Sequence, residues 1–157
     1  MISATKAANI VLDEAARYGV QLTPLQVMKH VYMSHGMFLG RHGTPLLTEE
    51  VQAWQYGPVI RSLYQNMKQF GSRNIVGRLP VNYFDKSEPT TLESGAIQGV
   101  FAAYGNFSGP ALSNLTHRPG SPWSQVWRPG IANLVIPNEL IRRHYSEAIA
   151  KNVLEAA

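Results

Sequence analysis

The sequence predicts a mainly α-helical, compact single domain of five to seven helices with at most one or two short strands. Three observations carry this. The chain has 157 residues, the length of one hydrophobic core, and a chain of that size buries roughly 68–70% of its unfolded surface without staples. Its apolar residues recur at three- and four-residue spacing in several separate windows, the period of a helix with one buried face. Most of those windows open on a Ser or Thr cap, several with Pro close behind, and close on Gly.

From Ser3 to Tyr18, Ala4, Ala7, Ala8, Val11, Ala15 and Tyr18 form one helical stripe, and Gly19 ends it. Leu22-Thr23-Pro24-Leu25-Gln26 is the strongest helix start in the chain. The Thr23 hydroxyl can accept a backbone N–H, Pro24 suits the first helical position, and Gln26 completes a capping box. This helix is expected to reach Leu39, with Gly40 as its stop. Arg41 to Gln55 reads as a loop with a short extended piece. Tyr56-Gly57-Pro58 reads as a second start, followed by Val59, Ile60, Leu63, Tyr64, Met67 and Phe70 in helical register and closed by Gly71. Residues 72–90 set Val76, Val81, Tyr83 and Phe84 among Gly, Pro and Ser, which predicts irregular structure with one short strand at most. Thr90-Thr91-Leu92-Glu93 opens a helix by capping-box logic, running through Val100 and Phe101 to Tyr104 before Gly105. Ser108-Gly109-Pro110 and Ser121-Pro122 predict short helices over 110–117 and 122–127. A last helix is expected from Pro137 to about Leu154. No repeat and no low-complexity segment interrupts this order.

Composition narrows the function classes. The absence of cysteine excludes disulfides, cysteine zinc sites, thiol nucleophiles and iron–sulfur ligation. An apolar share of 45% excludes a disordered chain. No apolar run approaches the ~18 residues of a membrane span, and Asp13 and Glu14 interrupt the one candidate leader, so a cytoplasmic domain off the membrane is expected. The charged share is only 15%, against roughly 25% for an ordinary soluble domain. Something other than charge must cover this surface. The net charge of +4 divides evenly between the halves, and no basic run exceeds Arg142-Arg143. The acid-free span Ser94–Asn138 carries only Arg118 and Arg128, a weak footprint for nucleic acid, which is not expected as a partner.

On a helical wheel of residues 25–39, Leu25, Val27, Met28, Val31, Tyr32, Phe38 and Leu39 share one broad face with His35 in its middle. Gln26, His30, Met33 and Met37 gather opposite, flanked by Lys29 and Ser34. His35 is either a buried neutral ring satisfied by backbone or hydroxyl groups, or a metal ligand or general base. The other histidines do not complete a ligand spacing with it. Met33 and Met37 either pack under the last helix or form an adaptable patch for a partner. In Ala53-Trp54-Gln55-Tyr56-Gly57-Pro58, Trp54 reads as core, while Tyr56 can present its ring at the surface. Trp123 and Trp127 lie four apart, where Arg128 could stack on an indole. Walker-type loops, GxGxxG, GxSxG and EF-hand loops are all missing. Asp13-Glu14 and Glu49-Glu50 are sequence neighbours that do not face each other on a helix, so neither makes an acid/base dyad. The sequons at Asn106 and Asn114 carry no meaning in a cytosolic chain. No enzymatic activity is expected.

Leu22-Thr23-Pro24-Leu25-Gln26-Val27-Met28-Lys29, then Val31-Tyr32 and His35-Gly36, resembles the opening signature of the Panacea domain family. That family includes the SocA-like antitoxins and phage-associated proteins related to them. The match continues through Pro45-Leu46, Glu49 to Ile60 with its Ala-Trp-x-Tyr-Gly-Pro-Val block, and Leu63-Tyr64. It returns at Leu112-Ser113, Thr116-His117 and Pro122-Trp123. The resemblance covers residues 5 to 150, and the expectation is one such domain over 1–157 with no accessory DNA-binding segment. It implies an antitoxin that binds a cognate toxin directly, without cofactor, metal or catalysis, and that can also act as an adaptor to a bacterial protease. Met33 stands where the family often has an aromatic, and Met37 where it often has Trp. The partner surface is therefore expected at Gln26, Lys29, His30, Met33 and Met37, with Tyr56. The rival readings are a phage or prophage regulator acting on nucleic acid through Arg118 and Arg128, and a small hydrolase using His117 or His35.

Overall fold

In the structure, a computed structural model that describes residues 1–151, the local signals at the helix starts do what their chemistry allows. The Ser3 hydroxyl accepts the Lys6 N–H at the head of α1 (Ala4–Arg17). Thr23 and Gln26 form the reciprocal capping box of α2 (Pro24–His42). Thr90 and Glu93 repeat it for α4 (Thr91–Tyr104). Ser108 and Ser121 cap α5 (Gly109–His117) and α6 (Pro122–Val126), each with proline in the first turn. Each cap satisfies an N–H that the helix itself leaves unpaired.

Three departures from the sequence reading have physical causes. Gly40 does not stop α2, which continues to His42 and ends on Gly43 in the left-handed region at φ +75°. Gly40 serves close packing instead. A Cβ there would lie 2.8 Å from the Ser146 backbone nitrogen, and one on Gly36 would overlap the Tyr145 ring. Second, Tyr56-Gly57-Pro58 does not start a helix. It closes a hairpin between β1 (Val51–Trp54) and β2 (Gly57–Val59), with Gly57 at φ +118° and Pro58 on the sheet edge, where a missing N–H is tolerated. Helix α3 (Arg61–Met67) begins only after Ile60 and tightens into a 3₁₀ turn over Lys68–Phe70. Third, β3 (Leu134–Ile136) pairs antiparallel with β1, Val51 opposite Ile136, and the sequence reading has no counterpart for it. Residues 72–90 contain no strand. The last helix, α7, spans Asn138–Ala150, and its expected extension to Leu154 lies outside the described residues.

Among the described residues the result is mainly helical: seven α-helices and one three-stranded antiparallel sheet in the order β2-β1-β3. Helix α2 is the centre, packed by α1, α4, α5 and α7. Its Val27, Val31, Tyr32, Met33 and Leu39 join Ala7, Val11, Ile97, Leu112, Ile141 and Tyr145 in one core. The sheet sits against the N-terminal half of α2, tied to it by Lys29 donating to the Pro58 carbonyl, and is tied to α6 by the Trp123 indole N–H donating to the Trp54 carbonyl. No described helix is long and apolar enough to cross a membrane.

Candidate functional site

The face of α2 that the wheel leaves to solvent is mostly covered. Lys29, His30 and Met33 are each no more than 1% exposed, which corrects the expectation of an open patch there. The reason is tertiary: a wheel assumes one packed side, whereas α2 is surrounded. Helix α4 lies over His30, with the Phe101 ring 5.6 Å from the imidazole. Neither ring nitrogen of His30 has a partner, and burial lowers its pKa to about 4. Gln26 is half-buried and engaged: its Oε1 accepts the Thr23 N–H, and its Nε2 donates to the Phe107 carbonyl at 2.9 Å. Met37 is half-buried and lines a cavity of about 610 Å³ between the end of α2 and the Gly95, Gly99 and Ala103 side of α4. Tyr56, at the hairpin turn, is exposed. Of the six residues singled out in the sequence, only Lys29 and Tyr56 come together.

They meet at a second cavity of about 490 Å³, walled by Leu25 and Met28 of α2, Trp54 and Tyr56 of the hairpin, and Tyr64 and Met67 of α3. Leu25, Tyr56 and Tyr64 are exposed around it. Trp54 meets Tyr64 edge to face at 4.9 Å, and its indole N–H donates to Gln52 Oε1, so the aromatic wall is held in place. Lys29 forms part of the buried wall. Its Nζ donates to the Pro58 carbonyl at 2.9 Å, and no described carboxylate pairs with it. Burial lowers its pKa to about 7, since removing the ammonium from water penalises the charged form. Gly57 makes room for it, because a Cβ there would stand 2.8 Å from Nζ. Lys68 also lines the cavity, and no acidic residue does. Leu25 and Tyr64 went unnoticed as site residues because periodicity assigns them to packed stripes. Lys29 did carry a signal: from Tyr18 to Gly40 it is the one charged residue.

The candidate chemical groups have structural work. His35 is fully buried; its Nδ1 accepts the Leu47 N–H at 3.3 Å, so the proton sits on Nε2, which donates to Asn138 Oδ1 at 2.9 Å. Burial lowers its pKa, opposed by the Asn138 bond and the Glu49 charge. The ring thereby pins the loop after α2 to the start of α7. Glu49 accepts the Ala4 N–H at the head of α1 and the Ser62 hydroxyl. Ser113 Oγ lies 3.4 Å from His117 Nδ1 but donates its proton to the Tyr56 carbonyl, while the His117 ring stands against Trp123. Trp123 and Trp127 stack on each other at 5.1 Å, and Arg128 donates to the Trp127 carbonyl. Among the described residues no group of three or more His, Cys, Asp or Glu is placed to hold a metal.

Residues 27–124 match the family model described as Antitoxin SocA-like, Panacea domain. Over 132 residues, 80% of this chain and 70% of the relative, the sequence is 29% identical to Antitoxin SocA of Caulobacter vibrioides (strain NA1000 / CB15N). No solved structure matches it.

Proposed function

This chain belongs to the SocA-like Panacea domain family, and we propose on that premise that it is the antitoxin of a toxin–antitoxin pair, neutralising its toxin by direct protein–protein binding. The observation that carries the reading to a place on the molecule is the apolar ring of Leu25, Tyr56 and Tyr64 around the hairpin cavity. Exposed apolar groups gathered about a concavity are what a protein partner covers, and tyrosines at the centre of an interface supply a large share of its energy. The action is occupation of the toxin's surface, with no cofactor and no chemistry of the antitoxin's own.

Co-expression with the product of the neighbouring open reading frame tests this. Rescue of growth by the unaltered chain is expected, and its failure with a toxic neighbour overturns the antitoxin reading. Tyr56→Ala removes an exposed ring without disturbing the core, so its thermal midpoint should hold. A central anchor of this kind is worth about 2 kcal/mol, so toxin affinity should fall roughly thirtyfold. Undiminished affinity would place the surface elsewhere.

A further inference from the structure

We infer that two copies of this chain pair by exchanging aromatic turns: Tyr83 and Phe84 of each copy enter the groove between α2 and α4 of the other. The pairing does not depend on the antitoxin reading, and its groove shares no residue with the hairpin cavity. The centre of a β-turn ordinarily goes to Gly, Pro, Asn, Asp or Ser. Here the Asp85 N–H donates to the Asn82 carbonyl at 2.9 Å, so the central residues are Tyr83 and Phe84, 79% and 81% exposed. The turn is also held in place. The Phe84 N–H donates to Asn82 Oδ1, the Ser87 N–H to Asp85 Oδ1, and Lys6 of α1 donates to the Asp85 and Ser87 carbonyls. The two rings meet edge to face at 5.3 Å, and the Lys86 ammonium lies 4.4 Å over the Tyr83 ring. A turn ordered this far loses little further entropy when a partner covers it.

The groove offers the complement. Met37 of α2 and Leu92, Gly95, Gly99 and Ala103 of α4 line about 610 Å³, and a Cβ added at Gly95 or Gly99 would meet nothing within 4 Å. A cleft of this volume accepts a drug-sized group, and a pair of aromatic rings is no larger. Helices α2 and α4 run antiparallel, with His30 against Phe101 and Phe38 beside Glu93. Arg41 and His42, both exposed, therefore stand at the Thr91–Leu92 end of the groove. Among the described residues no acid lines it. The turn carries the missing sign: Glu88, four residues after Phe84, has its side chain 86% exposed. A two-fold axis beside Leu92, itself 56% exposed, matches the order of the parts. Glu88 and the basic end of the groove both lie near that axis, while Phe84 and the glycine floor lie farther out. Such an isologous contact closes on itself. Covering the exposed parts of four rings removes on the order of 500–800 Å². The groove walls add about as much again, and the total reaches the roughly 1,200–2,000 Å² of a specific interface.

Sedimentation velocity of the full chain, from low micromolar to high micromolar concentration, tests this. A reversible dimer is expected. Phe84→Asp spoils the turn and Gly99→Glu fills the groove; both positions are exposed, so thermal midpoints should hold. Each variant should raise the dimer dissociation constant at least roughly tenfold. An equimolar mixture of the two should associate more tightly than either alone, because one turn and one groove stay intact between unlike chains. Arg41→Glu should weaken pairing, and Glu88→Arg in the same chain should restore it. A monomer throughout the range overturns the proposal, as does a dimer that neither Phe84→Asp nor Gly99→Glu weakens beyond about twofold. A mixture no tighter than its components overturns it too. If the unaltered chain stays monomeric while Gly99→Glu weakens the complex with the neighbouring frame's product, the groove belongs to the toxin and the pairing falls while the antitoxin reading stands.

Discussion

Lys29 and His30 are two bases adjacent in sequence, both buried, and burial lowers their pKa values to about 7 and about 4. Each is depressed relative to the unfolded chain, so each contributes stability above its unfolded pKa and loses it as pH falls through the folded value. For His30 that window runs from 6.5 down to about 4, and the loss is about 3 kcal/mol at roughly 1.4 kcal/mol per pH unit of separation. His30→Leu should therefore flatten the acid limb of a urea-midpoint profile between pH 6.5 and 4; an unchanged slope would show that the imidazole is solvated. For Lys29 the window runs from 10.5 down to about 7. At neutral pH the lysine thus already weighs against folding, offset in part by its bond to the Pro58 carbonyl. Met33 is the opposite case: an attractive surface candidate in the sequence, it is 1% exposed and belongs to packing.

At the scale of elements, a sequence signal is legible when the atoms that satisfy it lie within a few residues. The Thr23–Gln26 and Thr90–Glu93 boxes and the serine caps are of this kind, and all of them formed. Glycines were ambiguous, because the same residue serves as a stop or as a contact surface. Gly40 illustrates the second use, and the α2–α7 crossing depends on it. Gly40→Ala would raise helix propensity by about 1 kcal/mol on an open surface. Here the Cβ meets the Ser146 nitrogen at 2.8 Å, which is backbone and cannot rotate away. A net destabilisation of about 1–3 kcal/mol is expected from overpacking. Gly99→Ala, where an added Cβ meets nothing within 4 Å, should instead stabilise by up to about 1 kcal/mol. Denaturant melts of the pair read both signs, and destabilisation by Gly99→Ala would sink the argument from space.

For the molecule as a whole, the low charge share proves to be spread over several exposed apolar groups. These include Tyr18 near the end of α1, Tyr83 and Phe84 in the 72–90 segment, and Leu92 on α4. The hairpin cluster differs in enclosing a cavity with a buried lysine in its wall. A partner held there mainly by apolar contact should lose less than about tenfold in affinity between 50 and 200 mM salt, since screening acts on exposed charges. A chain bound through six to ten phosphates loses roughly 10³–10⁵ over the same range. Titrations at the two salts separate these outcomes, and a steep loss would favour the nucleic-acid rival. By itself the sequence determined the helical class, the capped helix starts and the Panacea resemblance, because periodicity, caps and motifs are local. The tertiary structure decided that α2 is covered on most sides, that Gly57-Pro58 enters a hairpin strand rather than a helix, and that Leu134–Ile136 joins Val51–Ala53 from across the chain. It also decided that Lys29 stands in the wall of an aromatic cavity. Those outcomes depend on contacts between distant segments, and burial is a property of what comes to cover a residue rather than of the residue.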